Sequence, residues 1–266
     1  MATEVAVAGV SRARRVGFYV AVVAALALVV FGLGELLFLG VVGWAGESAL
    51  EEATEPGVGV HLFHLLAHAL FAWLLLISLA AQLRHPERQL AAAVFALAAM
   101  ITYSLGTLVS GVFDPLEVAA IVLLAAVLWL SPGREYAEIA PLRRSTLLAS
   151  IPILAAGVLV VVPEVGRQVS SGTTDEHAEF GHYGLTAAMA VIVVLAALIG
   201  STSLRGRRLV AWLTVGGLAY LAVASTVFSK QMSSLGVTGG AVALAMALLY
   251  GWGALSDRQS VTQVAR

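Results

Sequence analysis

Residues 58–82 read VGVHLFHLLAHALFAWLLLISLAAQ, a run that contains no Asp, Glu, Lys or Arg. A hydrocarbon core about 30 Å thick is crossed by a helix of ~20 mostly apolar residues. The run is long enough, and its apolar residues do not alternate with polar ones as a membrane β-strand requires. The same reading finds seven more runs, at approximately 16–43, 90–112, 115–131, 145–165, 179–200, 209–229 and 235–255. Turn-forming or charged residues separate them, among them Glu55-Pro56-Gly57, Arg84-His85-Pro86-Glu87-Arg88, Ser131-Pro132-Gly133 and Arg205-Gly206-Arg207-Arg208. The run at 115–131 is short, and the boundary near Asp114 is the least sharply marked. The expectation is an all-α integral membrane protein with eight transmembrane helices, residues 1–266 forming a single membrane domain.

Composition points the same way. The chain is 60% hydrophobic and 12% charged, with a mean hydropathy of +0.94. Soluble domains carry roughly 45–50% apolar and about 25% charged residues. A water-soluble chain of 266 residues could not hide this much apolar surface, so soluble enzymes and nucleic-acid binders are excluded. The formal net charge of −1 offers nothing to a polyanion, and the expected partner is the lipid bilayer. With no cysteine there are no disulfides, thiolate metal sites or iron–sulfur clusters.

Arginines orient the spans. With the N-terminus inside, Arg12, Arg14, Arg15, Arg84, Arg88, Arg134, Arg143, Arg144, Arg205, Arg207, Arg208, Arg258 and Arg266 all fall on one side. Only Arg167 and Lys230 fall on the other, which carries the acidic run Glu47 to Glu55 and also Asp114, Glu117, Asp175, Glu176 and Glu179. Basic residues mark the cytoplasmic face, so both termini are expected in the cytoplasm and the protein in the cytoplasmic membrane. Arg14-Arg15 followed by an apolar stretch also looks like a twin-arginine signal. The run is longer than a usual signal core and Glu35 interrupts it, which favours a retained first helix.

An internal echo divides the chain. Arg14-Arg15 and Arg143-Arg144 precede Glu35 and Glu164 by the same interval, with both offsets equal to 129 residues. This predicts two parallel four-helix halves, pseudo-repeats over 12–131 and 141–256. Tyr103 and Tyr220 sit at corresponding mid-span positions and read as packing residues, each with a hydroxyl bonded to a neighbouring helix.

Histidines carry the functional signal. His61, His64 and His68 fall on one stripe of the second span, within about 60° of arc at a helical period of 3.6. Read as one continuous helix, Asp175, Glu179 and His182 share a face of the sixth span while His177 points away. Thr173 and Glu176 have the spacing of a capping box that would start this span. Ionisable groups inside a membrane are costly and usually face a partner in the bundle interior. The expectation is an outward-facing site where the first, second, fifth and sixth spans converge, with His64, His68, His182, Glu35 and Glu164 as ligands or orienting bases. His61, His177, Glu179 and Asp175 are further candidates, and His85, on the basic side, is given no role.

Imidazoles and carboxylates without thiolates suit Zn, Fe, Cu or Mn, and imidazole also ligates haem b. No family pattern fits: partner histidines of a duplicated haem bundle would fall on the fourth and eighth spans, which have none. The reading is a metal or haem site serving electron transfer, oxidative chemistry or metal handling. Two others compete with it. One is an ion or small-solute transporter using the same residues as protonatable gates. The other is an accessory subunit held among the subunits of a membrane complex.

Overall fold

In the structure, a computed structural model, residues 11–45, 62–136, 142–171 and 175–264 are described. They form α1 (Arg12–Gly32), α2 (Gly34–Val42), α3 (Leu62–Arg84), α4 (Leu90–Val109), α5 (Pro115–Leu130), α6 (Arg144–Ser171), α7 (Glu176–Glu179), α8 (His182–Gly200), α9 (Arg207–Val227) and α10 (Gly236–Val264). No strand occurs among the described residues. Seven helices are long and apolar enough to cross a membrane: α1, α3, α4, α6, α8, α9 and the Gly236–Asp257 part of α10. Helix α5 is equally apolar but shorter, at 16 residues.

The expected helix starts have local causes. Ser11 caps α1 by accepting from the Arg14 N–H at 3.2 Å, and Asp114 caps α5 through Leu116 N–H at 2.8 Å. Pro115 then occupies the first turn of α5, where its missing N–H costs nothing. The first apolar run is not one helix. It is interrupted at Leu33, between Gly32 and Gly34, two residues that weaken helix by about 1 kcal/mol each. Helix α6 continues through Pro152 and Pro163 for 28 residues. That length is about 42 Å, more than a hydrocarbon core, so one end of α6 projects beyond it.

Helix α3 is the axis of the bundle. It is apolar on every side and buried along most of its length, with Leu66, Phe71, Leu75 and Leu79 fully enclosed. Around it, α1, α4, α5, α8 and α9 contribute one large core. A second core joins α6, α8, α9 and α10 around Tyr250, whose hydroxyl donates to the Ala197 carbonyl at 2.7 Å. Large apolar side chains that remain exposed, such as Leu159, Leu248 and Trp252, lie on the outer helices, as expected of a surface meeting lipid.

The arginine-bearing turns meet at one end. The Arg14 guanidinium donates to the carbonyls of Leu130 (3.3 Å) and Ser131 (2.9 Å) and pairs with Glu135. Ala91 N–H donates to Arg205 O at 2.9 Å and Arg143 N–H to Ser201 O at 2.8 Å. At the opposite end α4 and α8 approach on small residues. A Cβ on Gly184 would stand 2.0 Å from Ser110 Oγ, and one on Gly106 would stand 2.8 Å from the Ala188 Cβ.

Candidate metal centre

At this second end α7 and α8 are separate helices, and the reason is Gly181. Its φ of 74° lies in the left-handed region, where glycine alone is unstrained. A Cβ there would also meet Ser110 and Val112 within 3 Å. The single helical wheel drawn through 175–182 therefore does not apply. Ahead of the break, in α7, His177 is half-buried and Glu179 is exposed. Asp175 caps the short α7 by accepting from His177 N–H at 2.9 Å. Thr173 of the expected capping box lies outside the described residues.

Three imidazoles come together: His64 in the first turn of α3, His177 in α7 and His182 at the start of α8. One nitrogen from each lies within 4.8 Å of the others. The His64 and His182 rings are stacked, with centroids 4.8 Å apart and planes 20° from parallel. His177 stands 5.6 Å from His64 and 5.8 Å from His182, centroid to centroid. A tetrahedral ion with bonds of about 2.1 Å holds its nitrogens about 3.4 Å apart. The three nitrogens, all within 4.8 Å of one another, could hold a metal ion.

Hydrogen bonds bear on which nitrogen carries the lone pair in two of the three rings. The Thr186 hydroxyl donates its single proton to the His182 carbonyl at 2.9 Å. It can therefore only accept from His64 Nδ1, also at 2.9 Å. His64 is then the Nδ1–H tautomer, and its Nε2 carries the lone pair. His177 Nδ1 lies 3.2 Å from Asp175 Oδ1, an acceptor only, which puts the lone pair of His177 on Nε2 as well. Asp175 is itself held by the Tyr183 hydroxyl at 2.8 Å. That bond, with the His177 backbone N–H, keeps its carboxyl below the ordinary aspartate range.

Two residues of α6 brace this end. Gln168 donates to Ala178 O at 2.8 Å and accepts from Gly184 N–H at 3.1 Å, tying α7 and α8 to one side chain. Buried Glu164 pairs with Arg167 at 2.7 Å and accepts from Ser233 Oγ at 3.0 Å. It lies within electrostatic range of His177. Thr186, Gln168 and Tyr183 had no sequence signal as bracing residues, because each reaches a residue of another element, which no period within one helix describes. Asp175-Glu176-His177 did carry one: an Asp two residues before a residue whose N–H it can cap.

The other candidates are dispersed. His68, one turn deeper on α3, is buried with its ring 6.2 Å from His182 and 6.4 Å from Tyr103. It flanks the three-nitrogen group without being part of it. Glu35 is exposed on α2 and makes no hydrogen bond or ion pair with a described residue. Its place in the internal echo thus differs from that of buried Glu164. The cause is the break at Leu33, after which α2 packs beside α3 as a separate element. His61 lies outside the described residues, as does the acidic run 47–55. His85 is exposed and 3.8 Å from Glu87. No protein-family profile, curated protein or solved structure matches the chain.

Proposed function

We propose that the chain is an eight-span protein of the cytoplasmic membrane, both termini inside, whose outward end binds a transition-metal ion through His64, His177 and His182. The observation that carries this reading is the pair of hydrogen bonds that turns Nε2 of both His64 and His177 into ligand nitrogens. An Asp behind a ligating His is a recurrent device for orienting the ring and raising its basicity. Three imidazoles with a fourth position left for water suit Zn²⁺, and the same set accommodates Cu²⁺, Fe²⁺ or Mn²⁺. A water on such an ion is acidified toward neutral pH, which would give the site hydrolytic chemistry. With their rings stacked at 4.8 Å, His64 and His182 leave no space between them for a haem held by both. The eighth span is α5: it leaves the turn beside Ser110 and ends against Arg14, at the other end of the bundle.

Elemental analysis and an absorption spectrum of the purified protein test this. About one ion per chain and no Soret band are expected. His64→Ala and His182→Ala should each lose the ion, while His85→Ala keeps it. A protein that neither retains nor takes up Zn²⁺, Cu²⁺, Fe²⁺ or Mn²⁺ overturns the reading, and a strong Soret band replaces the ion with haem. One observation favours the transporter reading: His68 Nε2 is buried below the cluster with no hydrogen-bond partner among the described residues. Uptake into proteoliposomes that depends on external pH and disappears in His68→Ala would select it.

A further inference from the structure

Beside this end of the bundle, and independent of the metal reading, a cleft of about 320 Å³ opens between the α1–α2 break and the α4–α5 turn. Leu28, Leu75, Met100 and Leu185 make its walls apolar. Its volume is at the lower end of those of small-molecule sites, ~300–1,000 Å³. The described lining contains two acids, Asp114 and Glu117, and no Lys, Arg or His.

Glu117 is the unusual group. It is 9% exposed, and among described side chains only Thr107 reaches it: the Thr107 hydroxyl, 2.8 Å away, has a single proton that the Ser104 carbonyl at 2.9 Å also accepts. A carboxylate has roughly four lone-pair sites, so most of its accepting capacity is unused. Buried charges in membrane helices normally have an opposite charge beside them, and no described residue forms an ion pair with Glu117. A second polar group lines the same cleft. Tyr103 is 8% exposed, and its hydroxyl has no hydrogen-bond partner among the described residues. Its ring is fixed by stacking on Phe71, with centroids 4.1 Å apart and planes 3° from parallel. The mouth lies between Gly32 and exposed Leu116, with Asp114 at its rim.

We propose that this cleft binds a lipophilic amine, its ammonium head on the Glu117 carboxylate beside the Tyr103 hydroxyl and its apolar body between α1, α3 and α4. The missing counter-charge of Glu117 calls for a cation, and the apolar walls call for a hydrocarbon body rather than a hydrated metal ion. Asp114 at the rim concentrates cations at the entrance.

The test is equilibrium binding of decylammonium to the purified, metal-loaded protein in a neutral maltoside detergent, with protein-free micelles subtracted. Decanol and decyl sulfate serve as probes of equal chain length. Saturable binding of about one decylammonium per chain is expected, at least about tenfold tighter than decanol, since a hydrogen bond to a charged group adds that much. Glu117→Gln keeps the acceptor for Thr107 and should remove the preference for the amine. Gly32→Leu should block all three probes: a Cβ at Gly32 meets nothing within 4 Å, so the larger side chain fills the mouth without a clash. Both variants should retain the metal content and thermal stability of the parent protein, which separates failure here from failure of the metal reading. Equal affinity for amine and alcohol, or an amine preference that survives Glu117→Gln, makes the cleft an acyl-chain groove and overturns the proposal. So does displacement of decylammonium by Na⁺ or Mg²⁺ alone at millimolar concentration.

Discussion

Two hydrogen bonds, to Thr186 and Asp175, decide which nitrogen carries the lone pair on His64 and on His177. Removing the Asp175 carboxylate in Asp175→Ala should weaken metal binding by about 10–100-fold, the usual effect of losing an orienting partner. Tyr183→Phe removes only the bond to the other carboxylate oxygen, so its loss should be far smaller. Competition with a chelator measures both. The sign of the pH effect follows from Asp175. Its folded-state value is depressed by the Tyr183 and His177 bonds. Its contribution to stability is therefore complete above the unfolded value, about 3.9, and is lost as pH falls through the folded one. Ligation requires unprotonated imidazoles, so acidification should release the ion. Metal analysis and near-ultraviolet circular dichroism across a pH series would follow the two events. Loss of the α7 cap before release of the ion would move control from the imidazoles to Asp175.

Between elements, the centre depends on how closely α4 and α8 pack. Gly184 faces Ser110 at a distance that leaves no room for a Cβ. Gly184→Val should force the helices apart and cost about 1–3 kcal/mol, seen as a fall of several degrees in Tm together with a loss of metal. Gly166 on α6 has open space around it, so Gly166→Ala should be neutral or add up to ~1 kcal/mol of stability. Equal destabilisation by both would mean that glycine conformation, rather than the close approach, is what matters. Seven of the apolar runs contain helices long and apolar enough to span, because burial in lipid is an additive property of a 20-residue window, readable without knowing any partner. The breaks at Leu33 and Gly181 are not. A glycine within an apolar run reads equally well as packing surface or as a hinge, and here the surrounding helices made the choice.

At the level of the whole molecule, the two ends differ in charge as the arginine count implied. Turns bearing Arg14, Arg88, Arg143 and Arg205 gather at one end, and His64, His177 and His182 at the other. The chain contains no cysteine, so single cysteines report orientation directly. A membrane-impermeant maleimide applied to intact cells should label Glu179→Cys and leave Arg88→Cys unlabelled until the membrane is opened. The reverse pattern would invert the orientation and place the centre in the cytoplasm. Trp44, which reads as an interfacial anchor, packs edge-on against Tyr220 at 5.3 Å and near Phe228 at 6.0 Å, so it also ties the end of α2 to α9.

From its residues alone this chain is committed to a helical bundle in lipid with its basic turns at one end, because hydration free energies and charge placement are local quantities. The same reasoning isolated histidines as the residues able to bind metal. Which of them meet was a tertiary matter. Gly181 in a left-handed conformation, pressed against Ser110, reversed the azimuth of His177 and Glu179, and an interruption between two glycines left Glu35 exposed. Rotations of that kind depend on contacts between segments some 70 residues apart, such as Ser110 and Gly181, and no periodicity within one segment encodes them.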